Sequence, residues 1–190
     1  LVIMAGNIPL VGFHDFLTVL ISGHNILLKL SGNDSVIFPV IINKLIDIEP
    51  EFRNRITVIE DVRDRSFDVA IATGSDSATP YFNYYFRKSR NIIRGSRSSI
   101  AILDGRESEQ QLKGLSEDIF SYFGLGCRNV SKLFIPEGYD INVLFNSFYS
   151  YSHILEHTKY VNNYDYNKAM LLMGGENFFD NGFFIMKEDV

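Results

Sequence analysis

The sequence predicts an α/β fold built around a largely parallel sheet. Short apolar runs alternate with segments of helical length along most of the chain, a pattern typical of βαβ units. Glycine occurs in three of the strand-to-helix turns, where tight backbone conformations are needed. The 190 residues are enough to bury a core without disulfides or a structural metal ion. We therefore expect helices packed on a parallel sheet.

The first part of the chain contains four apolar runs with the length of strands. These predicted strands are Leu1–Met4, Asn25–Leu30, Arg55–Ile59 and Phe67–Ala72. The intervening segments have helical length, and the predicted helices are Val11–Ile21, Asp34–Ile48 and Ser75–Arg87. Proline is tolerated in the first turn of a helix but kinks its interior, so Pro80 must either lie in the first turn of the third helix or kink it.

The second part repeats the alternation with different spacing. The predicted strands are Ile100–Leu103 and Lys132–Ile135, and the predicted helices are Glu107–Phe123, Asp140–Val161 and Tyr164–Met173. The character of the chain changes near Arg94–Ser99, which predicts one domain over residues 1–94 and a second over 95–190. Both ends of the chain are abrupt, so we expect it to be a fragment of a longer polypeptide.

Composition excludes several classes of protein. The 18 Lys and Arg residues against 23 Asp and Glu give a net charge of −5, so the general electrostatic footprint of a nucleic-acid binder is missing. No uncharged apolar run is long enough to predict a membrane span. A single cysteine, Cys127, excludes an internal disulfide and a Cys-rich zinc site, and it favours a cytoplasmic protein.

Two histidines have the spacing of metal ligands. His153 and His157 lie four residues apart and would share one face of the predicted helix. Neither an H-E-x-x-H pattern nor a clear third ligand accompanies them. We interpret both as surface or packing residues and predict no metal site.

Three glycine-bearing turns are candidates for binding an anion. They are Gly6–Pro9, Lys29–Asp34 and Ala72–Asp76, and each is expected to place backbone N–H groups at the start of a helix. Such N–H groups and the helix dipole both favour phosphate, and several such turns in one α/β unit suggest a dinucleotide crevice. The strict G-x-G-x-x-G pattern is missing. Ordinary turn chemistry therefore stays an equal alternative.

The segment around Cys127 is a candidate nucleophile loop. Gly124 and Gly126 precede Cys127 closely enough to allow a tight turn, and Arg128 follows it, where a cation favours thiolate. A thiol is a strong nucleophile even when a few per cent of it is ionised. The alternative is a small buried apolar residue.

Taken in order, these motifs resemble the aldehyde dehydrogenase superfamily, and they are most similar to its acyl-CoA reductase branch, the LuxC-type fatty-acyl reductases. The matching motifs are Asn7-Ile8-Pro9-Leu10, the segment from Ser22 to Lys29, Thr73-Gly74-Ser75 and Gly124-Leu125-Gly126-Cys127. The resemblance extends from Leu1 to about Ile135, and no superfamily motif is matched beyond Asp140.

The resemblance implies a Rossmann-like nucleotide-binding part followed by an α/β catalytic part of the aldehyde dehydrogenase type. In that interpretation Cys127 attacks the acyl carbonyl to form a thioester, and the Asn7 amide with the Cys127 N–H stabilises the oxyanion. Lys29 would reach the ribose, and Gly74 and Ser75 would lie beside the pyrophosphate. Simpler roles stay open: a helix cap for Asn7 and for Ser75, and a solvated strand end for Lys29.

Two departures from the superfamily pattern bear on the reaction. Ile93 stands where hydrolytic members have a Glu that activates water, so the resemblance implies that the acyl group is exchanged with coenzyme A instead. Gly32 stands where NAD-preferring members often have a Glu, and Ser31 could donate to a 2′-phosphate. This favours NADPH with NADH as the alternative, although the nearby Asp34 weakens the argument.

The sequence therefore predicts an NAD(P)H-dependent acyl-CoA reductase with a cysteine thioester intermediate and coenzyme A as product or co-substrate. A CoA-acylating aldehyde dehydrogenase and a nucleotide-binding relative without catalytic activity are the alternatives. The expected partners are an acyl-CoA or aldehyde substrate and further copies of the chain in a homo-oligomer, with no nucleic acid. A basic stretch from Arg87 to Arg106 is either a solvated surface or a contact for cofactor phosphates.

Overall fold

A computed structural model describes residues 1–63 and 65–188. The chain divides into two compact units, Leu1–Arg97 and a second unit that begins at Ser98. This division lies a few residues beyond the boundary predicted at residue 94. In the described part of the chain, no helix is both long and apolar enough to cross a membrane.

The first unit is organised around a five-stranded parallel sheet with the strand order β3-β2-β1-β4-β5. The strands are β1 (Val2–Ile3), β2 (Ile26–Lys29), β3 (Ile56–Val58), β4 (Val69–Thr73) and β5 (Arg90–Arg94). This is the order found in dinucleotide-binding doubly wound folds. The predicted α/β class with a parallel sheet is confirmed.

The helices of the first unit cover the apolar side chains of this sheet. They are α1 (Phe13–Ile21), α2 (Ile37–Ile48) and α3 (Thr79–Tyr85), with 3₁₀ turns at Gly32–Asp34 and Pro50–Asn54. Of the two alternatives for Pro80, the first turn of α3 is the one observed, because α3 begins at Thr79 rather than at the predicted Ser75. Val2 and Leu28 from the sheet are buried with Phe16 and Phe38 from the helices, whose rings meet edge to face at 5.3 Å.

Strand β5 was not predicted from the sequence. Only two apolar residues, Ile92 and Ile93, lie between its charged ends, so the run is too short to stand out. Pairing with β4 over its whole length forms the strand, with Val69 opposite Arg90 and Thr73 opposite Arg94. The tertiary structure, rather than local preference, makes this segment extended.

Up to residue 188, the second unit contains a two-stranded parallel sheet, three α-helices and a two-stranded antiparallel hairpin. The elements are β6 (Ser99–Ile102), α4 (Glu109–Phe120), β7 (Val130–Phe134), α5 (Ile141–Phe148), α6 (Thr158–Gly174), β8 (Phe178–Asp180) and β9 (Ile185–Lys187). Phe120 is the centre of its core, with ring contacts to Phe148, Tyr151, Phe183 and Phe184 at 5.2–5.8 Å.

The single helix predicted over Asp140–Val161 is wrong. Helix α5 ends at Phe148, a 3₁₀ segment follows over Tyr149–Glu156, and α6 begins at Thr158. His157 is extended and caps α6, with its side chain accepting the Tyr160 N–H. His153 and His157 therefore do not share one helix face. The hairpin of β8 and β9 was also missed, because its strands have three residues each.

Candidate functional site

The predicted cofactor residues of the first unit gather at the carboxyl edge of its sheet. Strands β1 and β4 are neighbours although they are not consecutive, so the chain leaves them toward opposite sides of the sheet. Ligands of such folds bind outside the strands at this switch point. Asn7 follows β1, Gly74 follows β4, and Ser31 follows β2, whose last residue is the half-buried Lys29.

All three glycine turns are longer than predicted, since α1, α2 and α3 each begin later in the sequence than expected. Helix α1 begins at Phe13 with Gly12 as its N-cap, so Asn7 is not the cap of this helix. Helix α3 begins at Thr79, and Ser75 contributes its carbonyl rather than a side-chain cap to the first turn. The turn after β2 leads into the 3₁₀ turn Gly32–Asp34, where the Ser31 Oγ accepts the Asn33 N–H at 3.3 Å. None of the three turns leads directly into an α-helix, so that expectation is wrong.

The turn that carries Asn7 is built against the turn that follows β2. Leu10 has a left-handed φ of +59°, and its N–H donates to Asp34 Oδ2 at 2.8 Å. The Asp34 side chain is buried, with 5% of the residue exposed. Gly6 lies so close to Ser31 that a Cβ at position 6 would collide with Ser31 Oγ. Asn7 itself is exposed between these two anchor points.

The turn after β4 is packed from both sides. The Gly74 N–H donates to the Arg94 carbonyl at 3.1 Å, and a Cβ on Gly74 would lie 2.8 Å from the Phe82 ring. Helix α3 can therefore approach the strand only because residue 74 is a glycine. Thr73 Oγ1, one residue earlier, is buried and has no hydrogen-bond partner among the described residues. Unpaired buried hydroxyls are costly, so this one marks a place where a polar ligand group could be accommodated.

A partly buried ion pair joins α1 to the end of β5. Arg94 Nη1 lies 2.6 Å from both carboxylate oxygens of Asp15, which is in the first turn of α1. Arg94 belongs to the basic stretch that could have contacted cofactor phosphates, but here it is paired with a carboxylate. No sequence pattern pointed to Asp15, since its partner Arg94 is 79 residues away and only the fold brings the two together.

In the second unit, Cys127 is exposed on the segment that leads into β7. The alternative of a buried apolar residue is therefore wrong. Three consecutive residues upstream are left-handed: Tyr122 with a φ of +53°, Phe123 with +57° and Gly124 with +74°. This conformation is costly for residues other than glycine, so the reversal after α4 depends on surrounding contacts.

Asn129 supplies the contacts that hold the Cys127 loop. Its side chain is buried, and Nδ2 donates to the carbonyls of Asp118, Ile119 and Ser121 at 2.7–3.3 Å. Its Oδ1 accepts the Gly126 N–H at 2.7 Å, and a Cβ on Gly126 would lie 2.6 Å from that same oxygen. The Asn129 amide thus hydrogen-bonds carbonyl groups at the end of α4 and, at the same time, positions the backbone before Cys127. Sequence reasoning missed this role, although an asparagine two residues after the candidate nucleophile was visible.

The left-handed segment packs against the start of α6. The ring of Phe123 stacks on His157 at 4.2 Å and lies 6.4 Å from Tyr160. The Tyr160 hydroxyl donates to the Phe183 carbonyl at 2.9 Å. Burial, with a smaller contribution from the neighbouring Tyr164, raises the pKa of Tyr160 to about 12. His157 and Tyr160 therefore act here in packing and capping.

An open cleft of about 1240 Å³ lies beside the Cys127 loop, within the second unit. Its walls are β7, α6 and the antiparallel hairpin, and Phe123 and Gly124 form its border toward the loop. Aromatic and aliphatic side chains such as Phe134, Phe179 and Met186 line it. Clefts of this composition accommodate apolar ligand groups.

Residues 1–144 match the family model described as acyl-CoA reductase (LuxC). No curated protein sequence matches significantly. Among solved structures, gamma-glutamyl-gamma-aminobutyraldehyde dehydrogenase from Burkholderia cenocepacia is similar with a TM-score of 0.55 and 17% identity, over 71% of this chain and 30% of that one. An NAD-dependent aldehyde dehydrogenase from Sinorhizobium meliloti is similar with a TM-score of 0.50 and 18% identity, over 70% of this chain and 28% of that one. The chain thus spans less than a third of the length of either dehydrogenase.

Proposed function

The chain belongs to the acyl-CoA reductase (LuxC) family, and on that basis we propose that the full-length protein reduces a fatty acyl thioester to an aldehyde through a thioester on Cys127. The observation that carries the proposal is the exposed Cys127 on a loop held by Asn129. A thiol that a substrate can reach on a fixed backbone has the accessibility and preorganisation that nucleophilic catalysis requires. Because a nucleophilic thiol must stay reduced, we place the reaction in the cytoplasm.

In the proposed acyl transfer, Cys127 Sγ attacks the carbonyl carbon of the acyl thioester. A new carbon–sulfur bond forms, the bond to the sulfur of coenzyme A breaks, and the proton lost from the Cys127 thiol leaves with coenzyme A as its thiol. Negative charge develops on the carbonyl oxygen, where the Asn7 amide and the Cys127 N–H would donate. The Gly126 N–H is not assigned this role, since it already donates to Asn129 Oδ1.

A nicotinamide cofactor, when bound, would supply the hydride that reduces the thioester. The residues at the carboxyl edge of the first unit fit such a group: the strand order is that of dinucleotide-binding folds, and Thr73 Oγ1 is a buried hydroxyl without a described partner. In the proposed site, Lys29 would bind the ribose, and Gly74 and Ser75 would lie beside the pyrophosphate.

The environment of Ile93 supports reduction rather than hydrolysis. Ile93 pairs with Ala72 in the sheet and packs against the cluster that contains Ala70 and Phe86. The position therefore holds a packed apolar side chain where hydrolytic members of the superfamily have the carboxylate that activates water. A thioester on Cys127 would lack this base and would persist until it is reduced or returned to a thiol.

Two features near Ser31 support NADPH as the preferred cofactor. Gly32 has open space around the position of a Cβ, so a ligand phosphate would meet no side chain there. The Asp34 carboxylate, which could have repelled a 2′-phosphate, is buried and accepts the Leu10 N–H instead. The Ser31 hydroxyl accepts the Asn33 N–H and keeps its own proton for donation.

The test is intact-mass spectrometry of the full-length protein after incubation with a long-chain acyl-CoA. We expect the acyl mass on the wild type and not on Cys127→Ala, and we expect its removal by NADPH faster than by NADH. Peptide mapping assigns the adduct if the full-length protein contains other cysteines. Cys127→Ser is the matched control, because it preserves side-chain size while removing the reactive sulfur.

Each other outcome selects a different function. An adduct that persists with both cofactors would retain Cys127 as a nucleophile and contradict hydride transfer. Formation of the same adduct from aldehyde, NADP⁺ and no acyl-CoA, faster than from acyl-CoA, would favour a CoA-acylating aldehyde dehydrogenase. A folded protein without any adduct would contradict the acyl-CoA reaction and leave nucleotide binding alone.

A further inference from the structure

We propose that Asp34 is a positioning residue for the oxyanion site, acting through the turn that carries Asn7. This inference rests on the proposed function, in which the Asn7 amide donates to the oxyanion. Asp34 follows β2 and lies outside the four motifs that carry the family resemblance. Its role comes from the fold, which places its carboxylate under the turn that follows β1.

The backbone of the Asn7 turn needs an external acceptor at Leu10. With a φ of +59°, Leu10 has a conformation that is unfavourable for a residue with a branched side chain. Its N–H donates to Asp34 Oδ2 at 2.8 Å, a charge-assisted bond in a partly buried location. Without that acceptor, the N–H would lose its partner and the left-handed conformation would lose its main restraint.

A second contact restrains the other side of Asn7. Gly6 lies directly against Ser31, with no room for a Cβ between them. The Met4 N–H donates to the Lys29 carbonyl at 3.1 Å, which continues the pairing of β1 with β2 up to this point. Asn7 is therefore an exposed residue on a short segment anchored before it at Gly6 and after it at Leu10. An amide that must meet a developing charge benefits from such a rigid backbone.

The role of the Asp34 carboxylate is geometric rather than electrostatic. A negative charge near an oxyanion would oppose its formation, so the benefit must come from accepting the Leu10 N–H. An asparagine at position 34 retains an acceptor oxygen of the same reach. Asp34→Asn should therefore preserve the turn, whereas Asp34→Ala removes the acceptor.

The experiment measures the rate of Cys127 acylation by acyl-CoA in the full-length protein, alongside the rate of its alkylation by iodoacetamide. Alkylation needs the thiol but no oxyanion site, so it reports on the nucleophile alone. The variants are Asn7→Ala, Asp34→Ala, Asp34→Asn and the double variant with alanine at positions 7 and 34. Asp47→Ala, which removes an exposed carboxylate from α2, is the matched control.

We expect Asn7→Ala to slow acylation about 100-fold, the usual effect of losing one oxyanion donor. Asp34→Ala should slow acylation by about 10- to 100-fold with unchanged alkylation, and Asp34→Asn should stay near the wild type. Because Asp34 acts through Asn7, the double variant should be no slower than Asn7→Ala.

A normal acylation rate in Asp34→Ala, together with slow acylation in Asn7→Ala, would overturn this inference alone. Additive losses in the double variant would also overturn it. A wild type that is never acylated would overturn the proposed function and this inference together. If Asp34→Ala does not fold, Asp34→Glu replaces it in the same set of single and double variants. Its longer side chain displaces the acceptor while the carboxylate is retained.

Discussion

The Asn7 turn and the Cys127 loop are held in place by different kinds of contact. The Asn7 turn depends on Asp34, which is 24 residues away in sequence and belongs to the turn after the neighbouring strand. The Cys127 loop depends on Asn129, whose partners all lie within 11 residues along the chain. One turn is thus fixed by the sheet around it, and the other is fixed mainly by its own sequence.

This difference predicts different responses to mutation. A locally closed loop can form as soon as its own residues order, because few residues separate the groups that must meet. The Asn7 turn forms only when β1 and β2 are already paired, because the pairing brings Asp34 under Leu10. The two candidate catalytic segments should therefore be separable by variants that weaken one and spare the other.

The largest effect is expected at Asn129. Replacement by alanine leaves the Gly126 N–H and the carbonyls of Asp118, Ile119 and Ser121 without their buried partner, so the free energy of unfolding should fall by about 2–4 kcal/mol. Urea denaturation of the full-length protein measures this loss, and iodoacetamide reports whether Cys127 reactivity changes with it.

Asn129→Asp distinguishes the two halves of the amide. It retains the acceptor for Gly126 but removes the donors to the end of α4, and it faces those carbonyls with a negative charge. We expect at least the destabilisation seen with alanine. A stability equal to that of the wild type would contradict the assignment of Asn129 as the residue that holds this loop.

A smaller and opposite pair of effects is expected at the two strained residues Tyr122 and Leu10. Asparagine tolerates the left-handed conformation better than either residue, so Tyr122→Asn should stabilise the protein by about 0.5 kcal/mol, since the Tyr122 side chain is 66% exposed. Leu10→Asn should destabilise it by about 1–2 kcal/mol, because Leu10 packs against the core of the first unit.

Thermal unfolding of both variants provides the measurement. Equal effects of the same sign would show that strain alone, and not packing against the core, decides the stability of both segments. That result would remove the contrast between a turn supported by the sheet and a loop supported by its own residues.

A last effect, confined to alkaline pH, concerns Tyr160 near the Cys127 loop. The pKa of Tyr160 is raised from 10.0 to about 12 in the folded chain, so its contribution to stability is complete below pH 10 and is lost as the pH rises toward 12. Tyr160→Phe should reduce this alkaline loss, and Tyr166→Phe, at an exposed position on α6, should leave it unchanged. Urea denaturation at pH 9 and pH 11 gives the change in the free energy of unfolding between the two pH values. The same change in the wild type, Tyr160→Phe and Tyr166→Phe would contradict the prediction.

Much of the architecture could be predicted from the sequence, because local patterns report local structure. The alternation of apolar runs with helical segments predicted the α/β class, although α3 begins at Thr79 rather than at the predicted Ser75. The motifs around Asn7, Lys29 and Cys127 predicted the family. The exposure of Cys127 was not predicted, since a small buried apolar residue stayed the alternative to a nucleophile.

Only the tertiary structure decided the features that depend on distant residues. Strand β5 forms because β4 offers it a partner, and α6 begins at Thr158 because His157 caps it and stacks on Phe123. In the sequence, the proximity of Asp34 weakened the argument for NADPH, yet the fold directs its carboxylate to the Leu10 N–H. Periodicity and turn residues act over a few positions, whereas hydrogen-bond partners are chosen among all the groups that folding brings together, and a single sequence does not reveal those distances.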